Sequence, residues 1–319
     1  MRYIISLPGN TENIHHMKRS LLRYIKLLVL LAPALSATAQ QQAVYTQFMD
    51  NMTPLNSAYS LLDPTASVST LVREQYVGIQ GAPNTFILNG NLPIESISNA
   101  SAGLVVYDDN FAVEHQFLVN AYFSKGVQLS DKNYLGVSLD AGVRNYTADY
   151  AGLAPGDPVF ADDIRETMVN IGFGVMFYGD NYYFGASVPQ LTFRDLGDAS
   201  LLENNYFRNH YYFSGGYLAH MENNIDIKPA VMVSYVRGVP VAADFSSTFY
   251  FANALGVGFD VRTTAEMAFI ISYNVHDFHI GYSYQFGTSD INPGGVNNAT
   301  HEVTLSYRWG KNAAKPKLL

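Results

Sequence analysis

From about Val68 to Trp309, apolar side chains recur at every second residue, and between them nothing is apolar for long enough to form a membrane helix. Successive side chains of a strand point to opposite faces, so a period of two is the signature of a strand with one apolar face. Six stretches carry it cleanly. Leu135, Val137, Leu139, Ala141 and Val143 alternate with Gly136, Ser138, Asp140, Gly142 and Arg144. Leu255, Val257, Phe259 and Val261 alternate with Gly256, Gly258, Asp260 and Arg262. The same holds over 169–177, 267–274, 278–286 and 303–309. Weaker stretches near 68–77, 84–92, 101–107, 115–128, 182–189, 210–219, 225–236 and 242–251 keep the spacing. The chain therefore reads as all-β, with about fourteen strands.

Composition decides what the apolar face meets. Charged residues make up 14% of the 319-residue chain, against ~25% in a typical soluble domain. Tyr (23) and Phe (19) are abundant, yet mean hydropathy is zero, because Gly, Ser, Asn and Thr dilute them. A soluble β-sandwich would bury such a face but needs a more charged exterior. A helical membrane protein needs apolar runs of ~20 residues. A transmembrane antiparallel β-barrel, apolar on alternate residues only, satisfies both observations. Closure is required because an open edge in hydrocarbon leaves backbone donors unpaired. The connections after even-numbered strands are short, and the long ones, 147–167, 190–209 and 287–300, all follow odd strands. Barrels of this kind have short periplasmic turns and long outer loops, so the first strand starts on the periplasmic side.

The N-terminus reads as an export signal. Lys18, Arg19, Arg23 and Lys26 precede the apolar run Leu27 to Ala37, and Ala37-Thr38-Ala39 is a small-residue cleavage pattern before Gln40. Met17 is a possible true start. The run is too short for a membrane anchor and Pro33 interrupts it. Residues 1–39 thus form a signal peptide, 40–66 an irregular periplasmic or plug-like segment, 67–310 the barrel and 311–319 a tail. Residues 1–39 carry net +4, so the chain from Gln40 carries −12 rather than −8, which does not suit nucleic acid. The absence of cysteine excludes disulfides, thiolate metal sites, a Cys nucleophile and a lipoprotein anchor.

Little in the chain suggests chemistry. Arg73, Asp140, Arg144, Asp260, Arg262 and Arg308 fall on the inward face, either lining a channel or, the favoured reading, pairing within a packed lumen. His276-Asp277-Phe278-His279 lacks a third ligand at a usable spacing, so no metal is expected. The acidic stretch 149–163 does not match the spacing of an EF-hand calcium loop. His210, His220 and His301 lie near strand ends without a nucleophile motif, so neither catalysis nor a cofactor is expected.

Particular stretches resemble the PorP/SprF family of outer-membrane proteins associated with type IX secretion. Tyr45-Thr46-Gln47-Phe48-Met49-Asp50-Asn51 is similar to that family's opening, and Leu55-Asn56-Ser57-Ala58-Tyr59 stands where it has an INPAYAG-like run. Arg73, Gly78, Gly81, Ala82, Pro83 and Thr85 fit its R-x-QW-x-G-x-x-GAP-x-T pattern, and His301 and Glu302 fit its closing motif. Ser57 replaces Pro and Tyr76 replaces Trp. From the residues alone, Gly81-Ala82-Pro83 reads as a tight first turn. The resemblance implies a non-enzymatic barrel that assists secretion or surface attachment of a large partner, such as a gliding adhesin, through the partner's C-terminal domain. Other secretion components and the lipid bilayer are further implied partners. Loop 190–209 is the candidate contact, through Leu191, Phe193, Arg194, Leu196, Phe207 and Arg208, because exposed aromatics with Arg anchor interfaces. The same loop could instead fold inward and plug the barrel. A channel for small or hydrophobic solutes is the competing function.

The export signal has a direct check. N-terminal sequencing of the membrane-fractionated protein is expected to begin at Gln40; an intact N-terminus in the inner membrane contradicts it.

Overall fold

The computed structural model describes residues 44–63, 65–152, 163–192, 209–289 and 292–310. The expected signal peptide, the tail 311–319 and much of two long loops lie outside the described residues. The strands are β1 (Ala66–Glu74), β2 (Asn84–Pro93), β3 (Ala100–Phe111), β4 (Glu114–Ser130), β5 (Asn133–Ala148), β6 (Ile164–Tyr178), β7 (Tyr182–Thr192) and β8 (His210–Tyr217). They continue as β9 (Ala219–His220), β10 (Ile225–Val236), β11 (Ala242–Phe251), β12 (Leu255–Arg262), β13 (Glu266–Val275), β14 (Phe278–Gly287) and β15 (Thr300–Trp309).

Every pairing is antiparallel, and β15 returns to β1 from Ala66↔Trp309 to Glu74↔His301, which closes the sheet. The two-residue β9 prolongs β8 along β10 in unchanged register, since Gly216 faces Ala230 and Ala219 faces Ile227. The break at Leu218 lies beside Pro229 of β10, which has no N–H to give. Leu218 instead donates its amide to the Asn181 carbonyl at 2.7 Å. Fourteen strands thus form the wall, the number legible in the alternation.

The wall's two faces differ as the period of two requires. Outside stand Leu104, Phe173, Phe184, Phe213, Phe245 and Phe269, with Phe184 and Phe269 more than 60% exposed. Bulky rings this exposed around a whole circumference suit lipid and not water. Near one rim Phe278 lies tilted against Tyr307 and Tyr307 stacks on Trp309, with centroids 4.7 and 5.8 Å apart. Near the other, Tyr284 meets His301 edge-on at 5.3 Å. Rings at both rims are what an outer-membrane barrel places at its two interfaces. Among the described residues no helix is long and apolar enough to cross a membrane.

Because neighbours run antiparallel, the turns after β2, β4, β6, β9, β11 and β13 share one end, and 149–163, 193–209 and 288–299 share the other. These are called the short-turn and long-loop ends below. The long connections are shorter than the sequence pattern implied, because β5 and β6 run on to Ala148 and back from Ile164. One boundary moved the other way. The alternation carried the first strand to residue 77, but β1 ends at Glu74, since Tyr76 takes φ 47° and Gly78 and Gly81 also have positive φ. Gly81-Ala82-Pro83 therefore closes a nine-residue loop, 75–83, rather than a tight turn, and Gln75 N reaches the Pro83 carbonyl at 2.9 Å.

Opposite faces of one strand should respond differently to substitution. Leu305→Arg or Val257→Arg, on the lipid side, is expected to cost about 2–4 kcal/mol, and Thr304→Ser, on the lumen side, much less. Folded yield read by heat-modifiable gel migration measures both; equal tolerance contradicts the assignment of faces.

Candidate functional site: the filled lumen

Residues 44–62 cross the inside of the ring. Val44, Tyr45, Phe48, Met49, Met52, Leu55, Ala58, Tyr59 and Leu62 are buried, and their partners come from around the wall. The segment has only one short 3₁₀ turn, Ser57–Leu61, capped by Asn56 accepting from the Ala58 amide at 3.1 Å. A chain without regular structure must find other partners for its buried backbone groups. The wall's inward polar side chains supply them.

The densest contact is at Glu302, fully buried on β15. Its carboxylate accepts from the Thr46 amide at 2.7 Å, the Gln47 amide at 3.1 Å and the Ser283 hydroxyl at 3.2 Å. Arg73, its direct register partner on β1, pairs with it and donates to Gln285 Oε1 at 3.0 Å. Thr46 Oγ1 also donates to Gln285, at 3.0 Å. A buried carboxylate needs a counter-charge and hydrogen bonds on its remaining lone pairs, and Glu302 has both.

Lower in the lumen, Lys228 Nζ donates to the Met49 carbonyl at 2.7 Å and lies 3.8 Å from Asp50. Tyr250 donates to Asp50 at 3.2 Å, and His279 Nε2 stands 3.6 Å away. Asn56 spans two strands, donating to the Val175 and Ala186 carbonyls at 3.1 and 3.4 Å. It fits because Gly174 leaves the space: a Cβ there would come within 2.2 Å of Asn56 Oδ1. Gly281 does the same for Gln47 Oε1, again at 2.2 Å. Asp63, at the segment's end, pairs with Arg308 at 3.2 Å.

The inward charges read from the sequence are placed as follows. Asp140 accepts from Ser57 and Arg144 donates to Gln116, both well buried. Arg262 pairs with Asp244 at 2.5 Å and Glu266 at 3.0 Å, and donates to the Val44 carbonyl at 2.6 Å. Asp260 is buried with one oxygen, Oδ2, lacking a protein partner among the described residues. Thr85 donates to Asp109 at 2.6 Å, while His301 faces outward against Tyr282 at 2.8 Å. Ala82 N bonds the Ile79 carbonyl at 3.2 Å within the 75–83 loop. Leu191 is half-buried at the end of β7, whereas Phe193, Arg194, Leu196, Phe207 and Arg208 lie outside the described residues. Among the described residues no cluster of His, Asp and Glu converges as a metal site. The sequence reading missed Lys228, Asp244 and Glu266. Pro229 and a weak alternation hid the first, and the other two sit at strand ends, where a face is hardest to assign.

A closed antiparallel barrel with a lipid-facing exterior, two aromatic rims and a lumen filled by its own chain is an outer-membrane β-barrel. Its sequence matches the model of the type IX secretion system membrane protein family PorP/SprF over residues 37–307, and the chain belongs to that family. No curated protein matches it. Its fold is similar to the Acinetobacter baumannii outer membrane protein Omp33, with TM-score 0.45, 9% identity, and 78% of this chain and 99% of that one covered. A deltaS2 mutant of the TodX monoaromatic hydrocarbon channel is similar at TM-score 0.46 and 12% identity, over 81% of this chain and 94% of that one.

The Glu302 anchor is testable by a double-mutant cycle. Glu302→Leu strands the Arg73 charge and two amides and is expected to cost about 3–5 kcal/mol, whereas Arg73→Met with Glu302→Leu costs less than the single change. The temperature at which folded gel migration is lost compares them; additive losses contradict the anchor.

Proposed function

We propose that this barrel has no catalytic role and assists the secretion or surface attachment of a large partner protein, holding the partner's C-terminal domain at its long-loop end. Family membership supplies the type IX secretion context. The observation that carries the reading is the filled lumen: a wall whose inward polar groups are spent on residues 44–62 is built as a support, and its distinctive surfaces are at the rims. The three long connections share one end, which on the usual pattern of such barrels is the outer one. Solute passage has less support. The lumen cavity lined by Asp50, Ser67, Ser69, His279, Ser306 and Arg308 measures about 40 Å³, room for water and too little for a solute molecule.

Epitope tags placed in 149–163, 193–209 and 288–299 are expected to be reachable on intact cells. Deleting residues 195–204 is expected to abolish surface retention of the partner while the barrel still assembles. Retention unchanged by the deletion removes this loop as the contact.

A further inference from the structure

The segment that fills the lumen falls into two halves, and each half holds a different part of the wall. Up to Asp50 the bonds across the lumen go to β10–β15: Arg262 holds Val44, Glu302 holds Thr46 and Gln47, and Lys228 holds Met49. From Leu55 to Ser60 they go to β3–β7. Ser187 donates to the Leu55 carbonyl at 2.6 Å, Ser124 to the Ser57 carbonyl at 2.9 Å, and Ser60 meets Ser101 at 2.6 Å.

The two halves are not equally well seated. The second is packed as a core: Ala58 is fully buried and Tyr59 meets Tyr183 edge-on at 5.2 Å. In residues 52–63 no buried side-chain nitrogen or oxygen lacks a hydrogen bond. In the first half Gln47 Oε1 and Asn51 Nδ2 are buried without one. Gln47 Oε1 lies over Gly281, whose register neighbours Ser272 and Thr304 also have buried hydroxyls without a partner. The water-sized cavity lined by Asp50 and His279 sits at the foot of the same stretch. Buried polar groups left unpaired raise the energy of the seated state, and water reaching them lowers that of a released one.

We infer that residues 44–51 are a releasable strap, that residues 52–63 stay in place without it, and that its release opens a polar passage along β10–β15. The wall behind the strap is small and polar, with Gly256, Gly258, Ser272, Gly281, Ser283 and Thr304 turned inward. Such a lining suits water and small hydrophilic solutes. The strap's first bond lies at the rim: Arg262 ends β12 and its partner Glu266 opens β13, on either side of the 263–265 connection at the long-loop end. A partner seated at that end therefore acts on the bond that holds Val44. This last step rests on the function proposed above; the strap does not.

Hydrogen exchange of the purified mature protein in detergent reads the strap directly. Amides of 44–51 are expected to exchange about tenfold or more faster than those of 55–62. Equal protection, or faster exchange of 55–62, overturns the proposal. Conductance in a planar bilayer reads the passage. The unaltered protein is expected to show no steady steps in plain buffer, and to show them in urea too dilute to change its folded gel migration. The chain contains no cysteine, so Thr46→Cys/Gln285→Cys and Ser60→Cys/Ser101→Cys can each be joined by a short bifunctional thiol reagent. Joining the first pair is expected to abolish the urea-induced steps, and joining the second to leave them. Steps that survive the first cross-link, steps lost on the second, or no steps at any such urea concentration overturn the proposal. If either pair fails to fold, exchange in the unaltered protein decides. No arm of the test involves the secreted partner, so its failure and the failure of the proposed function are distinguishable.

Discussion

A carboxylate with no access to water sets the terms for this structure. Glu302 is buried inside a barrel wall, where an unpaired charge costs several kcal/mol. Arg73 supplies the opposite charge from the first strand, directly across the seam where the last strand closes the ring. Two successive amides, of Thr46 and Gln47, complete the acceptor's shell. Those amides belong to a stretch with no strand or helix of its own, so they need the carboxylate as much as it needs them. Closure of the wall and seating of the N-terminal segment are therefore energetically coupled. Without the segment Glu302 keeps Arg73 and Ser283 but loses two donors, and the two amides lose their acceptor.

The rest of the lumen repeats this exchange at lower cost. Lys228, Asn56 and Ser57 each bring a polar group to a partner across the gap between wall and segment. Inward glycines open the space: Gly174 and Gly281 lie where a Cβ would collide with Asn56 and Gln47. Small residues on the inner face could be read as the lining of an open pore. Here they are the complement of a particular filling. The outer face answers to a different solvent, and the strict alternation keeps the two demands from conflicting.

Much of the wall was legible because lipid leaves a simple record. Strands such as Leu255–Arg262, apolar outside and Gly, Asp and Arg inside, announce their faces, and fourteen of them can be counted from the alternation. The first strand's end was not, because the alternation runs on through Val77 while the backbone turns at Tyr76, a non-glycine residue with positive φ. The inward charges Arg73, Asp140, Arg144, Arg262 and Arg308 could be placed on a face by parity, but their partners could not. Arg308 meets Asp63, and Arg262 the Val44 carbonyl, across long stretches of sequence, while Asp244 faces Arg262 from the adjacent strand. The path of residues 44–62 was the least legible part. With no period of two or of 3.6, nothing in it records which strand a side chain will meet.

The central claim is that this chain fills its own barrel. Ion conductance of the purified mature protein in a planar lipid bilayer tests it most directly, since the wall alone would enclose a water-filled passage. The account expects insertion without steady conducting steps. Stable single-channel openings from the unaltered protein would contradict it, because residues 44–62 could not then be seated as described.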